Sequence, residues 1–491
     1  MGQHPSRTVA EGRAFMQVIN GQPADAMSGA RIDVVSPSDG KVFASIPAAG
    51  AADVDRAVQS SRQAFETGPW SRMPAFERGR LLTKLGQLIE KNGDELAALE
   101  SRDTGKPIRQ GKADVNATMR YYEFYGGAAD KIHGDTIPFL DGYTALTLRE
   151  PHGVVAGIIP WNYPMQILAR VAGAALAMGN TLVVKPAEDA SLTTIRIAEL
   201  ALEAGFPEGV FNVVTGYGRD AGAALSAHPD IDYVTFTGST LTGTAIQQAA
   251  AINNRGVTME LGGKSPQIVF ADADLEKALP VLVNAIIQNG GQTCSAGSRV
   301  LIEKPIYEAV ATELAARFSK LVAGPHDADG DLGPMVNKKQ QTQVKAFIAA
   351  AEEAGVSVLA RGSVDASAPE DGFYVAPALF GSVDPSANIA QQEVFGPVLT
   401  LFAFEGEEEA VRLANGTDYG LVAGIWTADG GRQHRMAKRV RAGQVFVNGY
   451  GAGGGIELPF GGFKKSGHGR EKGFEALYDM SATKTIVFNH G

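Results

Sequence analysis

The stretch that decides the fold class runs Val154-Val155-Ala156-Gly157-Ile158-Ile159-Pro160-Trp161-Asn162-Tyr163-Pro164. It resumes one helix length later as Thr181-Leu182-Val183-Val184-Lys185-Pro186-Ala187-Glu188. Each part opens on a short apolar run rich in β-branched residues and then meets a proline, the pattern of a strand buried on both faces. Residues 164–178 between them have the length and apolar content of a helix. The rhythm continues outward, with strands expected over Phe211 to Thr215, Tyr233 to Thr237 and Pro266 to Phe270. Helices are expected over roughly 191–204, 219–227 and 241–252. Strand and helix in alternation make a parallel sheet with helices on its faces. Such a sheet binds its ligand at the carboxyl ends of its strands.

A second α/β rhythm occupies about 273–465. Helices are expected near 274–288, 306–322, 339–354 and 430–440, and strands near 299–303, 396–404, 421–426 and 444–448. Upstream, Val54, Ala57, Val58, Ser61, Ala64 and Phe65 share one face of a helix near 53–66. Leu81, Leu82, Leu85, Leu88 and Ile89 do so near 75–91. Asn92-Gly93 ends that helix, and Asp94 is placed to cap a third carrying Leu96 and Leu99. Residues 1–30 read as a loose polar arm. The segment 141–150 and the tail Thr483 to Phe488 alternate like exposed strands, and paired together they would form a small arm suited to docking on another subunit.

With 44% hydrophobic and 20% charged residues, the chain of 491 reads as an ordinary globular protein of two or three domains. Its 54 acidic and 44 basic side chains leave a net charge of −10, which disfavours nucleic acid or an anionic membrane as partner. No apolar run approaches membrane-spanning length, and Met1 to Ala10 has no apolar leader segment. One cysteine cannot form an intrachain disulfide, so the expected location is the reducing cytoplasm.

That cysteine, Cys294, sits in Gln288-Asn289-Gly290-Gly291-Gln292-Thr293-Cys294-Ser295-Ala296-Gly297. A thiolate is a strong nucleophile, and flanking glycines let backbone N–H groups approach whatever it attacks. A free cysteine is also commonly no more than a small buried apolar group. Four other stretches carry polar chemistry that packing does not demand. In Pro160-Trp161-Asn162-Tyr163-Pro164 the Asn162 amide either donates to an oxyanion or satisfies turn backbone. Lys185 and Glu188, three residues apart at a strand end, suit a ribose with two hydroxyls or form a surface ion pair. Phe236-Thr237-Gly238-Ser239-Thr240 runs from strand through a Gly-Ser turn into a helix, whose first N–H groups would meet a phosphate. Its spacing is not the standard dinucleotide fingerprint. In Met259-Glu260-Leu261-Gly262-Gly263-Lys264-Ser265 the Glu260 carboxylate is either a general base tuned by burial or an ordinary solvated side chain.

Taken in order with Glu393-Val394-Phe395-Gly396-Pro397 and Pro459-Phe460-Gly461-Gly462, these stretches resemble the NAD(P)-dependent aldehyde dehydrogenase superfamily of the hydrolytic, non-acylating type. The likeness extends from about residue 30 to 488. It implies an α/β fold of two open parallel-sheet domains plus a small β oligomerisation arm. The expected boundaries are 1–129 and 152–263 for the coenzyme-binding domain, 264–473 for the catalytic domain, and 130–151 with 474–491 for the arm. It implies that Cys294 attacks the aldehyde carbon, that the Asn162 amide and the Cys294 N–H hold the oxyanion, and that Glu260 activates the water that releases the acid. Cofactor contacts are implied for Ile159, Pro160, Trp161, Asn162, Lys185, Glu188, Gly218, Phe236, Gly238, Ser239, Leu261, Glu393 and Phe395. Substrate contacts are implied for Tyr163, Ile167, Arg170, Gln288, Thr293, Ser295 and Glu457. No metal is implied. The partners expected are a small aldehyde and further copies of this chain, as a dimer or a dimer of dimers. Glu188 would repel a 2′-phosphate and so favours NAD, with NADP possible because some members keep this residue and accept it.

The chain departs from the family where a Trp-Lys pair often follows the catalytic Asn, having Arg170-Val171 instead. The absent Lys removes one element of a proton route for Glu260, and Glu471 matches another. Arg170 resembles the position used by succinic semialdehyde dehydrogenases to hold a carboxylate, but their second Arg is replaced by Gln288. A buried Arg needs an anionic partner. Either a substrate carboxylate or Glu457, in the glycine-rich loop Gly449 to Leu458, meets that need. That loop lacks the bulky residues many relatives place there and would leave volume for a long or aromatic aldehyde; with Glu457 free, an amino-aldehyde is also favoured. A coenzyme A-acylating enzyme is disfavoured by Glu260, a cofactor-independent cysteine hydrolase by the lack of His near the motifs, and an inactive structural relative by the intact Cys294, Glu260 and Asn162.

Overall fold

A computed structural model describes residues 9–451 and 455–491. Val154–Ile159 and Thr181–Pro186 are strands, buried throughout, and they pair in parallel from Val154↔Thr181 to Ile159↔Pro186. Pro164 opens the intervening helix Pro164–Ala177, where its fixed φ suits a first turn and its missing N–H costs nothing. Phe211–Val213 adds on one side; Tyr233–Thr237 and then Gly256–Glu260 add on the other, all in parallel. The strand order therefore reverses between Val154–Ile159 and Tyr233–Thr237. A reversal of this kind opens a crevice beyond the strand ends. Three antiparallel strands, Gln17–Ile19 with Gln22–Ala24 at one edge and Gly467–His468 at the other, bring the sheet to eight.

The loose arm expected over residues 1–30 is corrected over its described part. Arg13–Ala14, Gln17–Ile19 and Gln22–Ala24 all pair into sheets, and Phe15, Val18 and Ile19 are buried. These three apolar side chains outweigh the polar composition around them. Residues 1–8 lie outside the described residues. Asp94 is not a cap: Asn92 holds that position and the helix is Gly93–Thr104. The helix expected over 219–227 divides into a π-type turn, Gly218–Gly222, and Ala223–Ser226. The 21-residue helix Ile108–Ala128 is an addition to the expected elements.

A second sheet has seven strands. In spatial order they are Ser357–Arg361, Ala378–Gly381, Val398–Phe404, Arg299–Glu303, Pro266–Val269, Val422–Trp426 and Gln444–Val447. All pairings are parallel except the first. Pro266–Val269, grouped above with the first rhythm, belongs here. Tyr143–Pro151 and Ser481–Asn489 pair antiparallel from Tyr143↔Asn489 to Pro151↔Ser481, with Thr136–Ile137 on the far side of Tyr143–Pro151. No helix among the described residues is long and apolar enough to cross a membrane.

Candidate active site

Helix Leu275–Ile287 ends in a turn where Asn289, Gly290 and Gly291 all take left-handed backbone, with φ of 51°, 63° and 75°. Gly291 has no alternative there, since a Cβ would fall 2.2 Å from the Gly396 carbonyl oxygen. The turn delivers Cys294, half-buried and unoxidised, to the edge of the second sheet. From the first sheet, Gly263 presses against it so closely that a Cβ would meet the Cys294 carbonyl oxygen at 2.2 Å. Gly262 likewise admits Glu393, whose Oε1 accepts the Gly263 N–H at 2.9 Å. The two glycines after Glu260-Leu261 are thus what lets a strand end, the cysteine and Glu393 share one place.

Asn162 is buried at the end of Val154–Ile159 and its Nδ2 donates to the Gln292 carbonyl at 3.0 Å, two residues before the cysteine. Its Oδ1 has no hydrogen-bond partner among the described residues. Tyr163 Oη lies 2.9 Å from Thr293 Oγ1. Glu260 closes Gly256–Glu260, and it is 1% exposed, not solvated. Neither carboxylate oxygen has a hydrogen-bond partner among the described residues. Burial pushes its pKa well above the ordinary carboxylate value, and Glu471 adds to the rise against Arg170, Arg470 and Lys472. Burial also pushes the Cys294 thiol up to about 12; Arg170 opposes this while Glu393 and Glu260 add to it. Glu393 rises to about 7 through burial, moderated by the Gly263 N–H and Lys264.

Arg170, on the helix after Asn162, reaches Glu471 at 3.8 Å and Tyr121 Oη at 3.2 Å, with its guanidinium 5.2 Å from the Phe460 ring centre. Its pairing with Glu457 is therefore corrected: Glu457 is exposed and bonds Arg120 at 3.1 Å. The helix Ile108–Ala128 presents Arg120 and Tyr121 on different faces, so Glu457 meets the outer one and Arg170 the inner one. Glu471 is buried and accepts from Thr237 Oγ1 at 3.4 Å. Phe460 pairs by backbone with Glu471 and packs with Leu421, Val422, Phe446, Tyr450 and Cys294. Tyr450 donates to the Ser295 carbonyl at 2.5 Å. It qualifies the expectation of an empty glycine loop, because this large ring fills space beside the thiol. Residues 452–454 of that loop lie outside the described residues. Gln288 is exposed and Ile167 is packed in the core.

The expected cofactor residues gather along the strand ends of the first sheet. Lys185 is buried and bonds Glu188 at 2.9 Å, so the pair is not a surface one. Burial pushes the Glu188 carboxyl up, but Lys185 and neighbouring N–H groups, including that of Gly218, outweigh it and hold it below its usual value. A Cβ on Gly218 would meet nothing within 4 Å, so open space lies beside this group. Ser239 caps helix Thr240–Ile252, accepting the Thr242 N–H at 3.3 Å. Gly238 donates to the Glu260 carbonyl at 3.0 Å, and Leu261 donates to the Ser466 carbonyl at 3.0 Å. The Phe236 ring packs under Gly238. Trp161, following Ile159 and Pro160, meets Phe395 edge to face at 5.3 Å, which joins the two sheets. Phe395 holds a left-handed φ of 56° and Lys472 one of 61°, sparsely populated backbone for such side chains.

Several residues at this place went unread in the sequence. Lys472, buried and 4.8 Å from the Phe460 ring centre, sits beside Glu471 in the chain, which was the available signal. Tyr121 and Lys106 come from an element and a loop that no motif marks.

The chain matches the Aldehyde dehydrogenase family over residues 24–486. It is similar to aldehyde dehydrogenase family 2 member C4 of Arabidopsis thaliana, with 42% identity across 96% of this chain and 94% of that protein. A solved chain from Burkholderia cenocepacia superposes with a TM-score of 0.96 at 60% identity, covering 97% of this chain and 100% of that one. The NAD+ complex of aldehyde dehydrogenase from Bacillus cereus gives a TM-score of 0.95 at 40% identity, covering 100% of this chain and 99% of that one. The chain belongs to the aldehyde dehydrogenase family and is an oxidoreductase.

Proposed function

We propose that this chain oxidises an aldehyde to a carboxylic acid through a covalent acyl-enzyme on Cys294, with NAD preferred over NADP. The observation that carries the reading is Glu260: buried, at a strand end, with both oxygens free of hydrogen bonds among the described residues and its charge felt at the Cys294 thiol. A carboxylate so desolvated is a stronger base than one in water. Lys185, Glu188 and Gly218 would hold the adenosine ribose, Gly238 and Ser239 the diphosphate, and Glu393 with Phe395 the far ribose and ring. When bound, NAD supplies the hydride acceptor. The fit rests on the open space at Gly218 beside the Lys185–Glu188 pair and on the capped helix start after Gly238.

Cys294 gives its proton to solvent water and its sulfur adds to the aldehyde carbon as the C=O π bond opens, giving a thiohemiacetal oxyanion. Asn162 donates to that oxygen with the N–H not already held by Gln292. Donors of this kind contribute about 3–4 kcal/mol of transition-state stabilisation. Loss of hydride leaves a thioester. Glu260 then takes a proton from water, the hydroxide displaces the thiolate, and the acid leaves. The first sheet would serve as coenzyme-binding unit, the second as catalytic unit, and the paired strands 143–151 and 481–489 as the oligomerisation arm of a cytoplasmic enzyme.

Glu260→Gln tests the reading. It should give a stoichiometric burst of NADH followed by turnover about 100-fold slower or less, within the range of a lost general base. Full steady-state turnover would show that another group activates the water.

A second reading is favoured by the long Arg170–Glu471 distance, which is an ion pair without a close hydrogen bond. The Arg170 guanidinium would then bind a carboxylate at the far end of a semialdehyde. Arg170→Ala should raise KM for a carboxylate-bearing semialdehyde at least tenfold more than for a neutral aliphatic aldehyde. Equal effects would leave Arg170 as a support for Glu471.

A further inference from the structure

Lys106 stands outside the groups used above, yet it touches the backbone of one of them. Its side chain is fully buried, in the loop after helix Gly93–Thr104. Nζ makes three contacts: Glu100 at 3.1 Å, Asp114 at 2.5 Å and the Asn162 carbonyl oxygen at 3.0 Å. The ammonium also lies 4.5 Å from the centre of the Tyr163 ring. Each carboxylate is tied onward, Glu100 to Thr193 Oγ1 at 2.8 Å and Asp114 to Gln166 Nε2 at 2.6 Å. The network thus draws on four helices and ends at the turn that carries Asn162.

The Asn162 carbonyl accepts a second bond, from Asn289 Nδ2 at 2.9 Å, in the turn that delivers Cys294. Satisfying the carbonyl therefore does not require an ammonium. Packing does not require one either, since buried ion pairs can often be replaced by apolar side chains at no loss of stability. What a saturated, buried charge network provides is a fixed position. Asn162 Nδ2 bonds Gln292, Tyr163 bonds Thr293, and Lys106 grips residues 162 and 163 from behind.

We propose that Lys106 is a positioning residue for the Asn162 amide: it pins the Asn162 peptide so that one Nδ2–H stays on the Gln292 carbonyl and the other meets the substrate oxygen. The inference rests on the reading of Asn162 as the oxyanion donor. A displacement of about 1 Å at such a donor costs up to about 100-fold in rate.

The experiment is a double-mutant cycle on the full-length enzyme, reading kcat, KM and NAD affinity. Lys106→Met alone strands two buried carboxylates and risks the fold, so the uncharged variant Lys106→Met with Glu100→Gln and Asp114→Asn is measured beside it, and Lys106→Arg serves as the conservative control. The uncharged variant should lose at least tenfold in kcat with KM and NAD affinity within about twofold of the parent, and Lys106→Arg should recover part of that loss. In an Asn162→Ala background the same changes should have almost no further effect. An unchanged kcat, or the same fold-loss with and without Asn162, overturns the role of Lys106 while leaving Asn162 as oxyanion donor. If Asn162→Ala itself keeps full kcat, the oxyanion reading fails and takes this inference with it.

Discussion

Cys294, the proposed nucleophile, is held in an environment that resists its ionisation. Burial pushes the thiol up to about 12 and two carboxylates, Glu393 and Glu260, push in the same direction. The protein without cofactor therefore carries a protonated thiol at neutral pH, and the thiolate fraction grows tenfold with each pH unit. Alkylation of the cofactor-free protein by iodoacetamide should rise log-linearly from about pH 7 to 10, where an ordinary thiol near 8.5 would already level off. A plateau below pH 8 would mean that Arg170 outweighs burial and the carboxylates. The residues of this site were largely legible: Cys294, Glu260 and Asn162 stand in short glycine- and proline-marked runs, and those runs converge. Arg170 was left between a substrate carboxylate and Glu457, and the structure sets it beside Glu471 instead of Glu457. Glu457 and Glu471 are both close in the chain to the expected loop, and sequence does not say which side of helix Ile108–Ala128 each one faces.

At the scale of elements, that helix is the largest part of the fold that the sequence hid. Its apolar face is carried by Tyr121, Tyr122 and Tyr125 and interrupted by Gly111 and Gly126, so no clean aliphatic period appears. Both glycines are explained by contact. Helices Ala75–Lys91 and Ile108–Ala128 cross at Gly79 and Gly126, where a Cβ on Gly79 would lie 2.3 Å from the Gly126 carbonyl oxygen. Gly79→Ala should therefore destabilise the protein by about 1–3 kcal/mol, the usual cost of overpacking, despite the better helix propensity of Ala. Urea unfolding checks it; a neutral or stabilising result would mean the helices part without cost. The strands of the two central sheets were legible because strands buried on both faces write themselves as apolar runs. Gln17–Ile19 and Gly467–His468 were not, being strands of two or three residues with no room for a pattern.

At the scale of the whole molecule, the paired strands Tyr143–Pro151 and Ser481–Asn489 leave Val487 and Phe488 at least half exposed, and Phe139 and Leu140 more so. An edge of this kind, long and apolar, is a surface for another chain. Val487→Asp with Phe488→Asp should reduce the mass seen by light scattering to that of a smaller species while the far-ultraviolet spectrum stays unchanged. An unaltered mass would mean that these strands make no contact between subunits.

The returning strand Gly467–His468 carries a consequence for synthesis. It pairs with Met259 and Glu260, and Glu471 four residues after its start lies buried beside Arg170. A nascent chain on the ribosome can thus expose Cys294, Asn162 and Glu260 long before the strand that borders Glu260 has been made. The sheet edge beside Glu260 stays open until residues 467 and 468 have left the exit tunnel, so a product terminated between residues 294 and 467 contains Cys294, Asn162 and Glu260 without the strand that borders Glu260.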